Sequence, residues 1–168
     1  SKVNSLTYSI LRFFNIYGPK SDAVVSTFLA QKIQGKIMTI YGNGRQKRDF
    51  LHIDDLCSAI WKTMNQKVAN NKIYNLGSGK SLSINNLKSK ICYEKFINLE
   101  KRNDDIEISI ADIFKAKKEL KWKPKILMDE GLKRILKIDY KRLKKLKIMP
   151  ISKQKKIIKI FNKKSKTL

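Results

Sequence analysis

Y-G-N-G-R-Q-K-R-D-F-L-H-I-D-D, residues 41–55, decides how this chain is read. Leading into it, Ile37, Thr39 and Tyr41 alternate with Met38, Ile40 and Gly42, the two-residue period of a strand. Gly42-Asn43-Gly44 then turns the chain, because glycine and asparagine accept the positive φ of tight turns. Arg45, Lys47 and Arg48 form a basic run, and Asp49-Phe50-Leu51 leads back into buried structure. Asp54 or Asp55 is placed to cap a helix with Leu56, Ala59, Ile60, Thr63 and Met64 on its inner face. An arginine between a turn and a short strand has little freedom, and its guanidinium can hold a phosphate or carboxylate by two parallel hydrogen bonds. The pattern points to an anion site at Arg48; a surface turn with spare charge fits the same residues.

Before this stretch, residues 8–16 read as a nearly continuous apolar strand, of the kind buried on both faces of a parallel sheet. Gly18-Pro19 ends it, and a helix follows with Val25, Phe28, Leu29 and Ile33 inward, closed at Gly35. After the decisive stretch come a buried strand at 72–77, a loop Ser78-Gly79-Lys80, and a helix over 83–93 capped by Ser83. A strand at 107–111, a helix capped by Asp112 with Ile113, Ala116 and Leu120 inward, and a stop at Trp122-Lys123-Pro124 complete the pattern. Asp129 and Glu130 open a last helix reaching residue 138, where negative charge suits the helix dipole. Residues 139–168 read as a basic tail, either an amphipathic helix on Ile157, Ile160 and Phe161 or a segment of low order.

A chain of 168 residues, 42% hydrophobic and 31% charged, supports one domain with a core and is not of disordered composition. No apolar run approaches the roughly 20 residues that span a bilayer, and no leader pattern opens the sequence, so a cytoplasmic location is expected. Cys57 and Cys92 lack metal-ligand spacing and read as reduced core residues. The net charge of +24 is uneven: residues 133–168 carry 15 Lys or Arg against one acid, residues 1–132 carry 23 against 13. The body suits an anionic ligand; the tail suits an anionic membrane or RNA, although Lys, Ile and Asn are common throughout the chain. Only Tyr140 and Phe161 interleave the tail's charges, which argues against specific nucleic-acid recognition.

Several suggestive motifs do not hold. Gly79-Lys80-Ser81 ends like a phosphate loop, but Tyr74 stands where its first glycine belongs. Gly42-x-Gly44 and Gly77-x-Gly79 lack the third glycine of the dinucleotide fingerprint, with Lys47 and Leu82 in that place. His52, the sole histidine, sits between Leu51 and Ile53 and reads as packed. No metal cluster or Ser/His/Asp set can be assembled.

Four blocks together carry a resemblance: L-R-F-F-N-I-Y-G-P at 11–19, I-Y-G-N-G-R-Q-K-R-D-F-L-H-I-D-D-L at 40–56, Y-N-L-G-S-G at 74–79 and A-D-I-F-K-A-K-K-E-L-K-W-K-P at 111–124. In order and spacing they resemble the C-terminal half of the NAD-dependent sugar-nucleotide epimerases/dehydratases, the extended short-chain dehydrogenase/reductase family, and most of all its UDP-glucose 4-epimerase branch. The resemblance covers residues 3–137. It implies an α/β fold: the last strands of a Rossmann-type parallel sheet plus a small α/β substrate lobe, incomplete at the N-terminus, over residues 1–138. It implies NAD as cofactor and a UDP-sugar as ligand. By similarity Phe14 borders the nicotinamide and Asn15 binds the sugar diphosphate, while Val24 and Val25 line the cleft. Thr39, Ile40 and Tyr41 flank the base, Arg48 binds the diphosphate, and Arg102 and Asp105 clamp phosphate and ribose from the other side. Two arginines neutralise a diphosphate and an aromatic face stacks a base, so the residue types suit the chemistry.

The chain departs from the family pattern in three places. The stretch 91–102 is shorter than usual, and Asp104 replaces a frequent glycine. The glycine-rich NAD loop and the Tyr-x-x-x-Lys pair that the family's chemistry needs read as absent; Ser1-Lys2 resembles the end of that pair but lies too close to Leu11 for the active-site helix to finish. The expectation is a nucleotide-sugar-binding portion without turnover of its own, completed by a separate N-terminal half or working as a homodimer. The alternative is a non-catalytic module that binds nucleotide-sugars or docks on a partner. The strand at 8–16, short of neighbours, leaves an apolar edge uncovered.

Overall fold

The computed structural model describes residues 6–19, 21–91 and 94–145, the side chains only as far as residue 137. In chain order the elements are β1 (Ser9–Phe13), β2 (Asn15–Tyr17), α1 (Val24–Gln34), β3 (Met38–Tyr41), β4 (Lys47–His52) and α2 (Ile53–Met64). A 3-10 turn (Lys67–Ala69) leads to β5 (Lys72–Leu76), β6 (Ser81–Ser83), α3 (Ile84–Ile91), β7 (Phe96–Leu99), β8 (Ile108–Ser109), α4 (Phe114–Glu119) and α5 (Met128–Lys145).

The expected single strand at 8–16 is two strands in two sheets. β1 pairs parallel with β5, Leu11 opposite Tyr74, while β2 pairs parallel with β4, Asn15 opposite Phe50. Phe14 is the joint, its N–H donating to Leu76 O at 3.1 Å. Nor is β1 buried on both faces: Ile10 and Phe13 are 44% and 50% exposed, and Ile73 of β5 is 40% exposed. Ile10 and Ile73 are register partners, so they form one bare apolar strip.

β4 is the hub of the second sheet. It pairs with β2, antiparallel with β6 and parallel with β8. Alternation divides its side chains between the sheet's faces. Phe50 joins Tyr17, Phe28, Ile40, Leu87 and Ile135 in a core roofed by α1, α3 and α5. Leu51, on the other face, packs with Tyr74, Leu76, Ala116, Leu120 and Trp122 in a second core beneath α2 and α4. Burying Trp122 costs no hydrogen bond, because its Nε1–H donates to Ser58 Oγ at 2.9 Å.

The helix α2 begins at Ile53 with His52 as its cap, not Asp54 or Asp55: His52 Nδ1 accepts the Asp54 N–H at 3.1 Å. The ring is packed as expected, 2% exposed, and burial lowers its pKa below 6.5. Asp55 is instead buried and accepts the N–H groups of Lys125 and Ile126, anchoring the linker that leads to α5. Met64 is 76% exposed and Cys57 is exposed, so neither belongs to the inner face or core assigned to it; Leu56, Ala59 and Thr63 form that face. Cys92 lies outside the described residues. Ser83 Oγ caps α3 by accepting the Asn86 N–H, and Asp112 Oδ1 accepts the Phe114 N–H at the start of α4. The strand expected over 107–111 is the short β8, and α5 runs to Lys145, about two turns past its expected end. The tail motif at Ile157, Ile160 and Phe161 lies outside the described residues.

Candidate functional site

The sheet register sets the site. Asn15 is opposite Phe50, and Arg48 stands two residues earlier on β4, so Asn15 and Arg48 share a face of the sheet. Asn15 Nδ2 donates to Asp49 O at 3.1 Å, which fixes its carboxamide. Over this face lies a cleft of about 750 Å³, walled by α1, β3, the end of β7 and the loop that follows it. Asn15, Val24, Thr39, Ile40, Tyr41, Arg48, Arg102 and Asp105 all line it. Two residues named from the sequence do not. Val25 is fully buried in the core, because the helical spacing that turns Val24, Thr27, Phe28 and Gln31 to the cleft turns Val25 away. Phe14 packs at the margin of the second core.

Arg48 is a positioned cation. Its Nη1 donates to Lys47 O at 2.9 Å and Ile106 O at 2.5 Å, and its Nη2 donates to Asp105 Oδ1. Both side chains of the pair are 16% exposed, a partly shielded setting in which the attraction exceeds that of an open surface pair. Arg102 comes from the same loop, and its guanidinium carbon sits 3.8 Å from the Tyr41 ring centroid in a cation–π contact. The strap 100–106 therefore makes three contacts, Asp105 and the Ile106 carbonyl on Arg48 and Arg102 on Tyr41.

β3 offers main-chain groups as well. Met38 N–H donates to Lys95 O and Gly42 N–H to Leu99 O, so the even positions serve the ladder with β7. In a parallel pair the intervening residues turn their amides and carbonyls to the opposite edge, here those of Thr39 and Tyr41. Tyr41 O accepts from Gln46 Nε2 at 2.8 Å, which places Gln46 in the same wall.

Asp49 was not singled out from the sequence, although a lone carboxylate inside a run of buried residues was its signal. It is fully buried. Oδ1 accepts the N–H and Oγ–H of Ser78, both at 2.6 Å; Oδ2 accepts Gly79 N–H at 2.9 Å and Ala111 N–H at 3.1 Å. The carboxylate thus ties two segments, the loop 78–79 and Ala111, to the strand that carries Arg48. Gly77 is required beside it, since a Cβ there would meet Asp49 Oδ2 and the Ala111 side chain.

Two smaller cavities lie nearby. One of about 380 Å³ shares Tyr41, Gln46 and Asp105 with the cleft; the other, about 350 Å³ between residues 78–82 and 123–128, is lined by none of the candidate site residues. Among the described residues no cluster of His, Cys, Asp or Glu could hold a metal, and no helix is long and apolar enough to cross a membrane.

The profile of the family described as GDP-mannose 4,6 dehydratase matches residues 2–135. The chain belongs to the NAD-dependent sugar-nucleotide epimerase/dehydratase family. It is similar to a UDP-glucuronate 4-epimerase of Thermodesulfobacterium geofontis, 37% identical over 139 residues, covering 77% of this chain and 42% of that protein. Among solved structures it is similar to the UDP-glucose 4-epimerase of Thermotoga maritima with UDP-glucose, at 32% identity and TM-score 0.75, covering 82% of this chain and 47% of that one. It is also similar to a UDP-glucuronic acid 4-epimerase from Bacillus cereus in complex with UDP-glucuronic acid and NAD, at 27% identity and TM-score 0.70, over 77% and 45%. The chain spans less than half the length of these relatives, so its α/β fold is part of the extended short-chain dehydrogenase/reductase domain.

The family is NAD-dependent. Of the residues here, only Phe14 was assigned to NAD, and it sits outside the cleft. The chain has no G-x-G-x-x-G. One Tyr-x-x-x-Lys spacing does occur, Tyr140 to Lys144, but it falls in the far end of α5, beyond every block of the resemblance. The described residues cover the family's dinucleotide site only in part.

Proposed function

We propose that this chain forms the nucleotide-sugar-binding half of an NAD-dependent epimerase of the UDP-sugar type. The observation that carries the reading is the meeting of Asn15, Thr39, Tyr41 and Arg48, from three strands, in one cleft with Arg102 and Asp105 facing them. A guanidinium has five N–H donors; Arg48 commits three to Lys47, Ile106 and Asp105 and keeps two for phosphate oxygens. The Thr39 and Tyr41 main-chain groups suit the polar edge of a base, and the Tyr41 ring suits its face. In this reading Arg102 leaves or shares Tyr41 as the nucleotide enters.

No hydride step is assigned to this chain, and we infer no turnover from it alone. The bare strip at Ile10 and Ile73 and the unpaired side of β1 among the described residues support completion by an N-terminal half. Calorimetry with UDP and UDP-glucose tests the binding reading, with saturable heat expected from both. Absence of binding refutes it. Incubation with NAD and UDP-glucose tests the inactivity, with no UDP-galactose expected; epimerisation above background refutes that part, and activity restored by an added N-terminal half supports completion.

A further inference from the structure

On the cleft face of α1, Val24, Thr27 and Phe28 give a mainly apolar wall, and the Thr27 hydroxyl is engaged by Ala23 O. Gln31 differs from them. Its Oε1 is sealed from solvent and accepts no hydrogen bond among the described residues. A buried carbonyl oxygen without a donor is uncommon in folded proteins, because its bond to water is lost without replacement. Gln31 stands in the last turn of α1, and the turn at Gly35, with φ +70°, returns the chain at once into β3. The residue therefore lies at the β3 end of the cleft, where Thr39 and Tyr41 present main-chain polar groups. A flat heterocycle between α1 and β3 would meet hydrogen-bonding atoms on both sides.

We propose that Gln31 reads the nucleotide base, its carboxamide pairing with the imide edge, N–H beside C=O, of a uracil- or thymine-type ring. The proposal rests on the nucleotide-sugar reading and names a specificity residue within it. A carboxamide carries one acceptor and one donor group side by side, and an imide offers the complementary pair. The terminal torsion of glutamine is broad and soft, so Oε1 can turn from its buried position to the ring N–H while Nε2 meets the adjacent carbonyl. Phe28, Ile40 and Leu99 supply apolar surface for the remainder of the ring.

The test is calorimetry with UDP, N3-methyl-UDP and inorganic pyrophosphate on the wild type, Gln31→Met and Gln31→Glu. The wild type is expected to prefer UDP over its N3-methyl analogue by about tenfold, the effect of one hydrogen bond to an otherwise unpaired group. Gln31→Met keeps the length and removes the polar pair; it should lose that preference and leave pyrophosphate affinity unchanged. Gln31→Glu removes the donor and should weaken UDP but not pyrophosphate. A preference retained in Gln31→Met, or in Gln31→Ala should the methionine variant not fold, overturns the proposal. So does a wild type that binds UDP and N3-methyl-UDP equally. A wild type that binds none of the three ligands overturns the nucleotide-sugar reading itself, and this proposal with it.

Discussion

Replacing Asp49 with asparagine tests whether one buried carboxylate holds the Arg48 strand to its surroundings. Asparagine keeps one carbonyl oxygen, which can serve the two Ser78 donors. Its amide nitrogen then faces the N–H groups of Gly79 and Ala111, now at 2.9 and 3.1 Å from Oδ2. The buried Ala111 N–H loses its acceptor at about 1–3 kcal/mol and the Gly79 N–H, on an exposed residue, loses its own at less, so the loss is about 1–4 kcal/mol. Against a typical stability of about 5–15 kcal/mol that is a sizeable fraction, equivalent to roughly 2–15 °C in melting temperature. Asp49→Ala strands the three amide donors, leaves the Ser78 hydroxyl only Lys80 O and opens a void, and should cost more. Urea denaturation followed by circular dichroism measures both, with the denaturant slope expected unchanged. A loss below about 1 kcal/mol for Asp49→Asn would refute the clamp, because it would mean that water or relaxed backbone serves those donors equally well.

Arg48→Ala should weaken UDP by about 1.5–3 kcal/mol, the range for hydrogen bonds to charged groups, while a thermal melt confirms the fold; a loss under threefold by calorimetry would remove Arg48 from the ligand's contacts. His52 supplies a pH prediction, since burial lowers its pKa from 6.5 in the folded protein. The unfolded chain takes up the proton first, so stability is full above pH 6.5 and declines as pH falls below it, toward the folded pKa. His52→Asn retains a side-chain acceptor for the helix cap and should flatten that decline between pH 6.5 and the carboxylate range. The same slope in wild type and variant, measured by melts across that interval, would assign it to other groups.

Much of this organisation was legible in the sequence where spacing is local. The period of 37–42, the Gly42-Asn43-Gly44 turn, the Ser83 cap and the Trp122-Lys123-Pro124 stop each depend on near neighbours, and each appears in the structure. The non-local parts were hidden. β7, F-I-N-L, is exposed along its length and pairs with β3 across more than fifty residues, so no alternation marks it. β6 and β8 are too short to show a period. His52 caps α2 because its ring is held in place by packing, which overrides the usual preference for the following aspartates. At the site, Arg48 could be named because turn and strand chemistry mark it. Its pairing with Asp105 joins residues 57 apart in the sequence, which no local pattern marks. Val24 and Val25 are adjacent and chemically identical; the spacing that sets Val25 inward with Phe28 and Leu29 was legible, and only the resemblance placed Val25 on the cleft.

The passage from β1 to β2 through Phe14 has a mechanical outcome. One run of chain leaves its partnership with β5 and enters another with β4 within a single residue, and the Phe14 N–H is itself tied to Leu76. There is no slack at this crossing, so the wall bearing Asn15 and Arg48 is bolted to the β1–β5 layer. The side of the cleft facing this fixed wall is the strap 100–106, which rests on Arg48 through Asp105 and the Ile106 carbonyl and on Tyr41 through Arg102.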